Sequence, residues 1–517
     1  MSPLRRRRPA RLAIGVLLTL CALSAGLPGA LHNALWEDEI GAERVISQPT
    51  LHDALQVIVD RESTPPAFFL AARAADRAAK GLRPETRAKV LRSLSLAASV
   101  GCTVLTFVLA LELVPLWAAA LAGLLVGLGP VGVVYGSLLR SYALLAFACV
   151  AFAVLLERAA GRPRFRRLAG LSGIVALGAL THYFFLFTLA AGALWLVVSG
   201  LPRKSIARVC AALLVGLIPL ALWTPDWLRQ YRHGIYATAP PFSFAHFLSL
   251  LPQLLAPQAI VAITGLAVSG VVTVVVLGSA ALLLRQPEGR LCAFLVLAPF
   301  LVVSLMVWVT GERVYRDRNL IGVAPFAAIA LAWGCAALPW RRVSFAAGVL
   351  VGALAVAAFA YGQTALGRTP YDRIAHAMVE QGFRRGEPIY WFGSWEGQFP
   401  VGWYLTSDKP ANTWPRLVLA QPHKGACRAL EVVARTATGR LWLLRHRDEI
   451  VAEKSLPAFG DVPQGRRNPD LIVARLRWSA VNRPLAELMT KDVERPTLAT
   501  TNAFVLGVAG AQPSCGS

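Results

Sequence analysis

The sequence predicts an all-α polytopic transmembrane bundle of about eleven spans, followed by a small C-terminal soluble α/β domain. Three observations predict it. Hydrophobic residues make up 56% of the 517 residues, charged residues only 16%, and the mean hydropathy is +0.54. A soluble chain of this length is not so apolar. Apolar runs of helix length recur up to about residue 362 and then stop. Beyond that point short strand-like segments replace them. The formal charge is +23. Arg and Lys gather in cytoplasmic loops and against anionic lipid, and no nucleic-acid module accompanies them, so nucleic acid is not an expected partner.

The elements follow in order. An arginine run, Arg5 to Arg8, precedes the first apolar stretch, Leu12 to Leu31. The stretch is long for a signal-peptide core and reads as an uncleaved anchor. Basic flanks stay inside, so the N-terminus is expected in the cytoplasm and the first span exits outside. Further spans are expected at 90–111, 116–136, 142–157, 168–181, 183–199, 206–224, 258–284, 290–310, 318–338 and 343–362. Six cysteines (Cys21, Cys102, Cys149, Cys210, Cys292, Cys335) fall within apolar runs, where they pack as small residues.

The first outer loop, 32–89, is too long for a simple turn. Within it, Leu51, Leu55, Val57 and Ile58 share one helical face, and Phe68, Phe69 and Ala72 share another. Two amphipathic helices along the interface are expected, separated by the Thr64-Pro65-Pro66 break. The inner turns ERAAGRPRFRR, LPRKSIAR, RQPEGR and PWRR are basic, as the positive-inside trend requires. The outer turn GERVYRDRN is also basic, against that trend. An odd number of spans puts the region 363–517 outside. There YDRIAHAMVEQG reads as a helix, and EPIYWFGSW, RLWLLRHR, DLIVARLRW and NAFVLGVA read as strands. Cys427 and Cys515 lie in this part, and both a disulfide and two free thiols are open.

Chemistry-bearing residues collect in the outer segments. Trp36-Glu37-Asp38-Glu39 follows the first span. As a lone motif it is an acidic turn with an interfacial Trp; the alternative is a carboxylate acting as general base. Thr64-Pro65-Pro66-Ala67-Phe68-Phe69 lies downstream. Together the two segments resemble the first outer loop of the GT-C fold membrane glycosyltransferases. The likeness is to bacterial members of glycosyltransferase family 39, which includes protein O-mannosyltransferases and lipid A aminoarabinose transferases. Trp36, Asp38 and Glu39 match a W-x-D-E pattern. Pro65, Pro66 and Phe68 match a Pro-Pro-hydrophobic-aromatic pattern, with Ala67 a mild departure.

The resemblance implies transfer of a sugar from a polyprenyl-phosphate donor to a lipid, glycan or protein acceptor on the outer face of a bacterial inner membrane. It makes Asp38 the base and Glu39 its orienting neighbour, with Trp36, Pro65 and Pro66 positioning the loop. The leaving lipid phosphate gains charge and needs fixed positive groups. Candidates are Arg140 and Tyr142 in the turn SLLRSY, His182 and Tyr183 in THY, and Arg313, Arg316 and Arg318 in GERVYRDRN. Arg140 could equally snorkel to the interface, and His182 and Tyr183 could belong to an aromatic belt. His233, Tyr231 and Tyr236 could contact an acceptor or be plain interfacial residues. Metal-independent chemistry is expected, although Asp38 and Glu39 could ligate a divalent ion. No organic cofactor is expected. The competing class is a lipid or glycan transporter, but transporters place ionisable groups near the midplane and carry repeats, and here the polar groups sit in loops.

Overall fold

A computed structural model describes residues 8–79, 81–82, 84–232, 242–312 and 314–365, with 371–372, 375, 379, 389–392, 402–405, 417–420, 442–446, 471–475 and 503–504. The chain forms two compact units. One is Met1–His32 with Ala42–Leu366; the other is Asn33–Gly41 with Gly367–Ser517.

The first unit is helical. Helix α1 (Arg8–His32) is the first apolar run. It packs in the bundle beside the helices Ser93–Ala110 and Leu116–Leu128. After α2 (Glu37–Ile46), the expected pair of amphipathic helices is present as α3 (Leu51–Arg61) and α4 (Ala67–Ala78). Thr50 caps α3, its hydroxyl accepting the Asp53 N–H at 3.0 Å. Phe68, Phe69 and Ala72 are buried as their spacing suggested. On α3 the buried face is Ala54, Ile58 and Val59, whereas Leu51 is 53% exposed; as the first helical residue it lies at the end of the contact surface. Arg73 ties α4 to the preceding turn, donating to the carbonyls of Ile46, Gln48 and Pro49. Arg87, in the short α5 (Pro84–Leu91), bridges Glu43 and Asp76.

Next come α6 (Ser93–Ala110) and α7 (Leu116–Leu128). Buried Arg92 donates to Ala30 O at 3.0 Å, in the last turn of α1, where helix carbonyls lack intrahelical partners. The chain then turns by 40° into a short segment, α8 (Pro130–Val133) with a 3₁₀ turn at Tyr135–Ser137. Glycine is required at this bend. A Cβ on Gly132 would lie 1.9 Å from Gly127 O. The remaining helices are α9 (Tyr142–Gly161), α10 (Phe165–Thr181), α11 (Phe185–Val198), α12 (Arg203–Arg232), α13 (Phe244–Leu255), α14 (Gln258–Leu283), α15 (Arg290–Thr310), α16 (Asp317–Leu320), α17 (Ala324–Ala336) and α18 (Arg341–Ala365). The most enclosed spans are those formed by α9 and by α16 with α17.

All eleven expected runs are helical, but fewer qualify as full spans. Among the described residues eight helices are long and apolar enough to cross a bilayer, or nine spans if the bent α7–α8 segment counts as one. Helices α10 and α11 have 17 and 14 residues. At 1.5 Å per residue they fall short of a hydrocarbon core of about 30 Å. Hydropathy reports how apolar a run is, not where a bend or an early cap interrupts it. The length and apolar composition of these helices make this an integral membrane protein.

In the second unit, strands β1 (Ile389–Phe392), β2 (Leu417–Ala420), β3 (Trp442–His446), β4 (Leu471–Arg475) and β5 (Ala503–Phe504) form one sheet in the order β2-β1-β3-β4-β5. β1 pairs parallel with β2 and β3, β3 pairs antiparallel with β4, and β4 pairs parallel with β5. In register, Ile389 stands opposite Leu417 and Trp442, and Trp442 opposite Arg475. Four strands fall in the four segments read as strands; β2 was not anticipated. Cys427, Cys515 and most of the helix expected at 371–382 lie outside the described residues.

Candidate active site

The acidic motif lies in the second unit. Trp36 precedes the first turn of α2, and its carbonyl accepts from the N–H groups of Glu39 and Ile40 at 2.9 and 3.0 Å. The Glu39 side chain reaches back, Oε2 accepting the Trp36 N–H at 3.0 Å. This is one half of a capping box, in which an acid three residues into the helix satisfies the donor that precedes it. Glu39 is fully buried and Asp38 is partly exposed. The motif therefore divides into a helix-starting Glu39 and a more accessible Asp38. Three successive carboxylates in a first helical turn also complement the positive end of the helix dipole. In the same unit, Leu35 N–H donates to the Tyr404 hydroxyl at 2.8 Å.

The basic and aromatic candidates lie in the first unit, and three separate turns bring them together. Arg140 follows the α8 bend. It is buried, and its Nη1 pairs with Glu62 Oε2 at 2.9 Å. Its guanidinium lies 5.7 Å from the Phe69 ring centroid, and its carbonyl accepts the Ser95 hydroxyl. Tyr142 opens α9 and packs edge-on against Tyr135 at 5.2 Å and near His182 at 6.0 Å. Arg318 stands 5.9 Å from the Tyr142 ring centroid. Asp317, beside it, accepts the Tyr135 hydroxyl at 2.8 Å. Gly322 lets this late turn press on α9, since a Cβ there would lie 2.6 Å from Cys149 Sγ.

His182 sits between α10 and α11 and is almost fully buried. Burial, with the nearby positive charges of Arg140 and Arg318, pushes its pKa down to about 3. The imidazole is neutral at physiological pH. Its Nδ1 accepts the Phe184 N–H at 3.3 Å, which assigns the proton to Nε2 and leaves that side of the ring a donor.

Tyr183 is placed differently. Its hydroxyl lies 2.5 Å from Gln230 Oε1 and accepts the Trp223 indole N–H at 3.0 Å, and its ring stacks on Trp227. Buried Gln230 in turn donates to Ile58 O and Thr64 O. Tyr183 thus helps hold the end of α12 against the loop carrying Pro65 and Pro66, both buried. Arg316 precedes α16 and is half-buried, as is Arg318. Arg313, His233 and Tyr236 lie outside the described residues. The Tyr231 hydroxyl meets Glu312 at 3.3 Å.

Sequence reasoning missed Glu62, Tyr135, Gln230 and Asp317. Asp317 carried a usable signal, an acid between two arginines in an outer turn. Glu62 stands two residues before the Thr64-Pro65-Pro66 break. Gln230 and Tyr135 carried no local signal. Among the described residues no three or more His, Cys, Asp or Glu side chains are arranged so that they could hold a metal ion. Asp38 and Glu39 are the residues considered for a cation, and Glu39 already uses one oxygen as a helix cap.

No protein-family model and no curated protein sequence matches the chain. Solved structures do. ArnT from Cupriavidus metallidurans in the apo state superposes with a TM-score of 0.54 at 13% identity, over 86% of this chain and 95% of that one. The same protein bound to undecaprenyl phosphate gives 0.51 at 11% identity, over 84% and 94%. The archaeal oligosaccharyltransferase AglB from Archaeoglobus fulgidus, with an inhibitory peptide and a dolichol-phosphate, gives 0.47 at 11% identity, over 87% and 70%. The chain has the fold of the GT-C membrane glycosyltransferases.

Proposed function

We propose that this protein is a membrane glycosyltransferase that moves a sugar from a polyprenyl-phosphate donor to an acceptor on the extracytoplasmic face. The observation that carries the reading is the convergence of Arg140, Tyr142, His182 and Arg318 from three sequence-distant turns. Such a cluster suits a lipid phosphate. Arg318 offers a guanidinium fork, neutral His182 an Nε2–H donor, and Arg140 a cation held in place by Glu62. A GT-C relative of this shape was captured with undecaprenyl phosphate, which supports the same class of donor here.

In the reaction, the acceptor hydroxyl oxygen bonds to the anomeric carbon while the bond from that carbon to the phosphate oxygen breaks. The electron pair leaves with the polyprenyl phosphate, whose added negative charge the arginines stabilise. The proton passes to the Asp38 carboxylate. Glu39 keeps the first turn of α2 formed, so Asp38 stays at a fixed point of the helix start.

The test is transfer itself. Purified protein is given a panel of labelled polyprenyl-phosphate sugars with membrane extracts as acceptor, and the labelled product is identified. Donor-dependent labelling supports the reading; its absence across the panel, with the protein folded, rejects it.

A further inference from the structure

A second set of polar groups lies at the opposite end of α9. Tyr142 opens that helix and Glu157 is fifteen residues on, about 22 Å along the axis. There a cavity of about 210 Å³ is lined by Glu157, Gly161, Trp195, Ser199 and Arg290, among others. It lies at the basic end of the bundle, where Arg158, Arg162, Arg164, Arg166, Arg167 and Lys204 are found. Nothing in the proposed transfer chemistry uses it.

The cavity is lined by groups of both signs of charge. Glu157 is half-buried and, among the described residues, forms no ion pair with Arg290; the charges that act on it are those of Glu112 and Arg158. Glu112 adds like charge and the adjacent Arg158 is exposed, so a half-buried carboxylate here is favoured by a further cation in the cavity. The C-terminal ends of α9 and α11, at Gly161 and Ser199, also line the cavity and add partial negative charge. Trp195 supplies an aromatic wall suited to an ammonium group. Arg290 supplies the positive charge of the lining. It begins α15, and its Nε is committed to Leu284 O at 3.1 Å, which fixes the guanidinium. A ligand matching both signs of charge carries an ammonium and a phosphate a short linker apart. The volume equals roughly seven liquid waters, about the size of a phosphoethanolamine group.

Lipid, rather than a free solute, is the source that fits. Beside Trp195 on α11, Leu194 is 48%, Val197 74% and Val198 47% exposed. In a membrane protein these side chains face acyl chains. We propose that this cavity binds the headgroup of a zwitterionic aminophospholipid, its ammonium against Glu157 and Trp195 and its phosphate against Arg290.

Lipid retention tests it. The full chain is exchanged in detergent against equimolar phosphatidylethanolamine and phosphatidylglycerol, and bound lipid is read by native mass spectrometry. Wild type should retain phosphatidylethanolamine over phosphatidylglycerol by at least about tenfold, and Glu157→Gln should lose that preference by a similar factor. Arg290→Lys, which keeps the charge but not the fork, should weaken retention less than Arg290→Gln. A thermal shift with water-soluble O-phosphoethanolamine separates lipid from solute: it should protect far less than the lipid. Equal retention of both lipids, an unchanged preference in a folded Glu157→Gln protein, or equal protection by the soluble headgroup would each overturn the assignment.

Discussion

At the residue scale, the two neighbouring acids of the W-x-D-E motif should separate cleanly. Asp38→Asn keeps shape but cannot take a proton, so donor-dependent transfer should fall at least about a hundredfold with insertion intact. Glu39→Gln keeps an oxygen for the Trp36 N–H and should be much milder, whereas Glu39→Ala should loosen the start of α2 at a cost of about 0.5–2 kcal/mol. Activity surviving Asp38→Asn but not Glu39→Gln would move the base to Glu39. The Arg140–Glu62 pair, with side chains only 6% exposed, should behave as a unit. Removing either partner should cost about 3–5 kcal/mol, and replacing both with apolar residues should recover most of it. Thermal unfolding of the two single variants and the double variant in detergent measures this. His182 gives a pH signature. Its pKa falls from an ordinary 6.5 to about 3 on folding, so between those values the unfolded chain binds the extra proton and stability is lost as pH drops. The unfolding midpoint should decline from pH 7 towards pH 4, and His182→Gln should flatten that decline.

At the element scale, Gln230 is the point where a late part of α12 holds the first loop. Its amide spans Ile58 O, Thr64 O and the Tyr183 hydroxyl. Gln230→Leu would strand buried carbonyls and cost about 1–3 kcal/mol. Hydrogen exchange should then rise selectively across residues 58–66. If those amides stay as protected as in wild type, the loop is held by something else. The α8 bend works the same way on Arg140 and Tyr142, because Gly132 alone admits the close approach to Gly127 O.

For the whole molecule, the expected topology puts the loop 32–89 and the region after residue 363 outside. Reporter fusions active only outside the cytoplasm should work at both, and a cytoplasmic reporter active at position 400 would reject the scheme. The fold itself was largely readable. Apolar runs located every helix of the bundle except α13 and the short connecting pieces, because burial in lipid is written locally as hydropathy. Two helices proved short and one span proved bent, because a break at Gly129–Pro130 or at His182 costs little in hydropathy.

What the sequence determined by itself was the membrane class, the first-loop helices and a pool of candidate groups in the segments between apolar runs. Asp38 was named from the resemblance of its motif, and Arg140, His182 and Arg318 from their places in turns between apolar runs. What only the tertiary structure decided was the pairing. Glu62 meets Arg140 across 78 residues, Gln230 meets Ile58 across 172, and Tyr135 meets Asp317 across 182. The physical reason is range. Hydropathy, caps and turn chemistry act within a few residues and are visible as pattern, whereas the partner of a buried charge is set by which helices pack together.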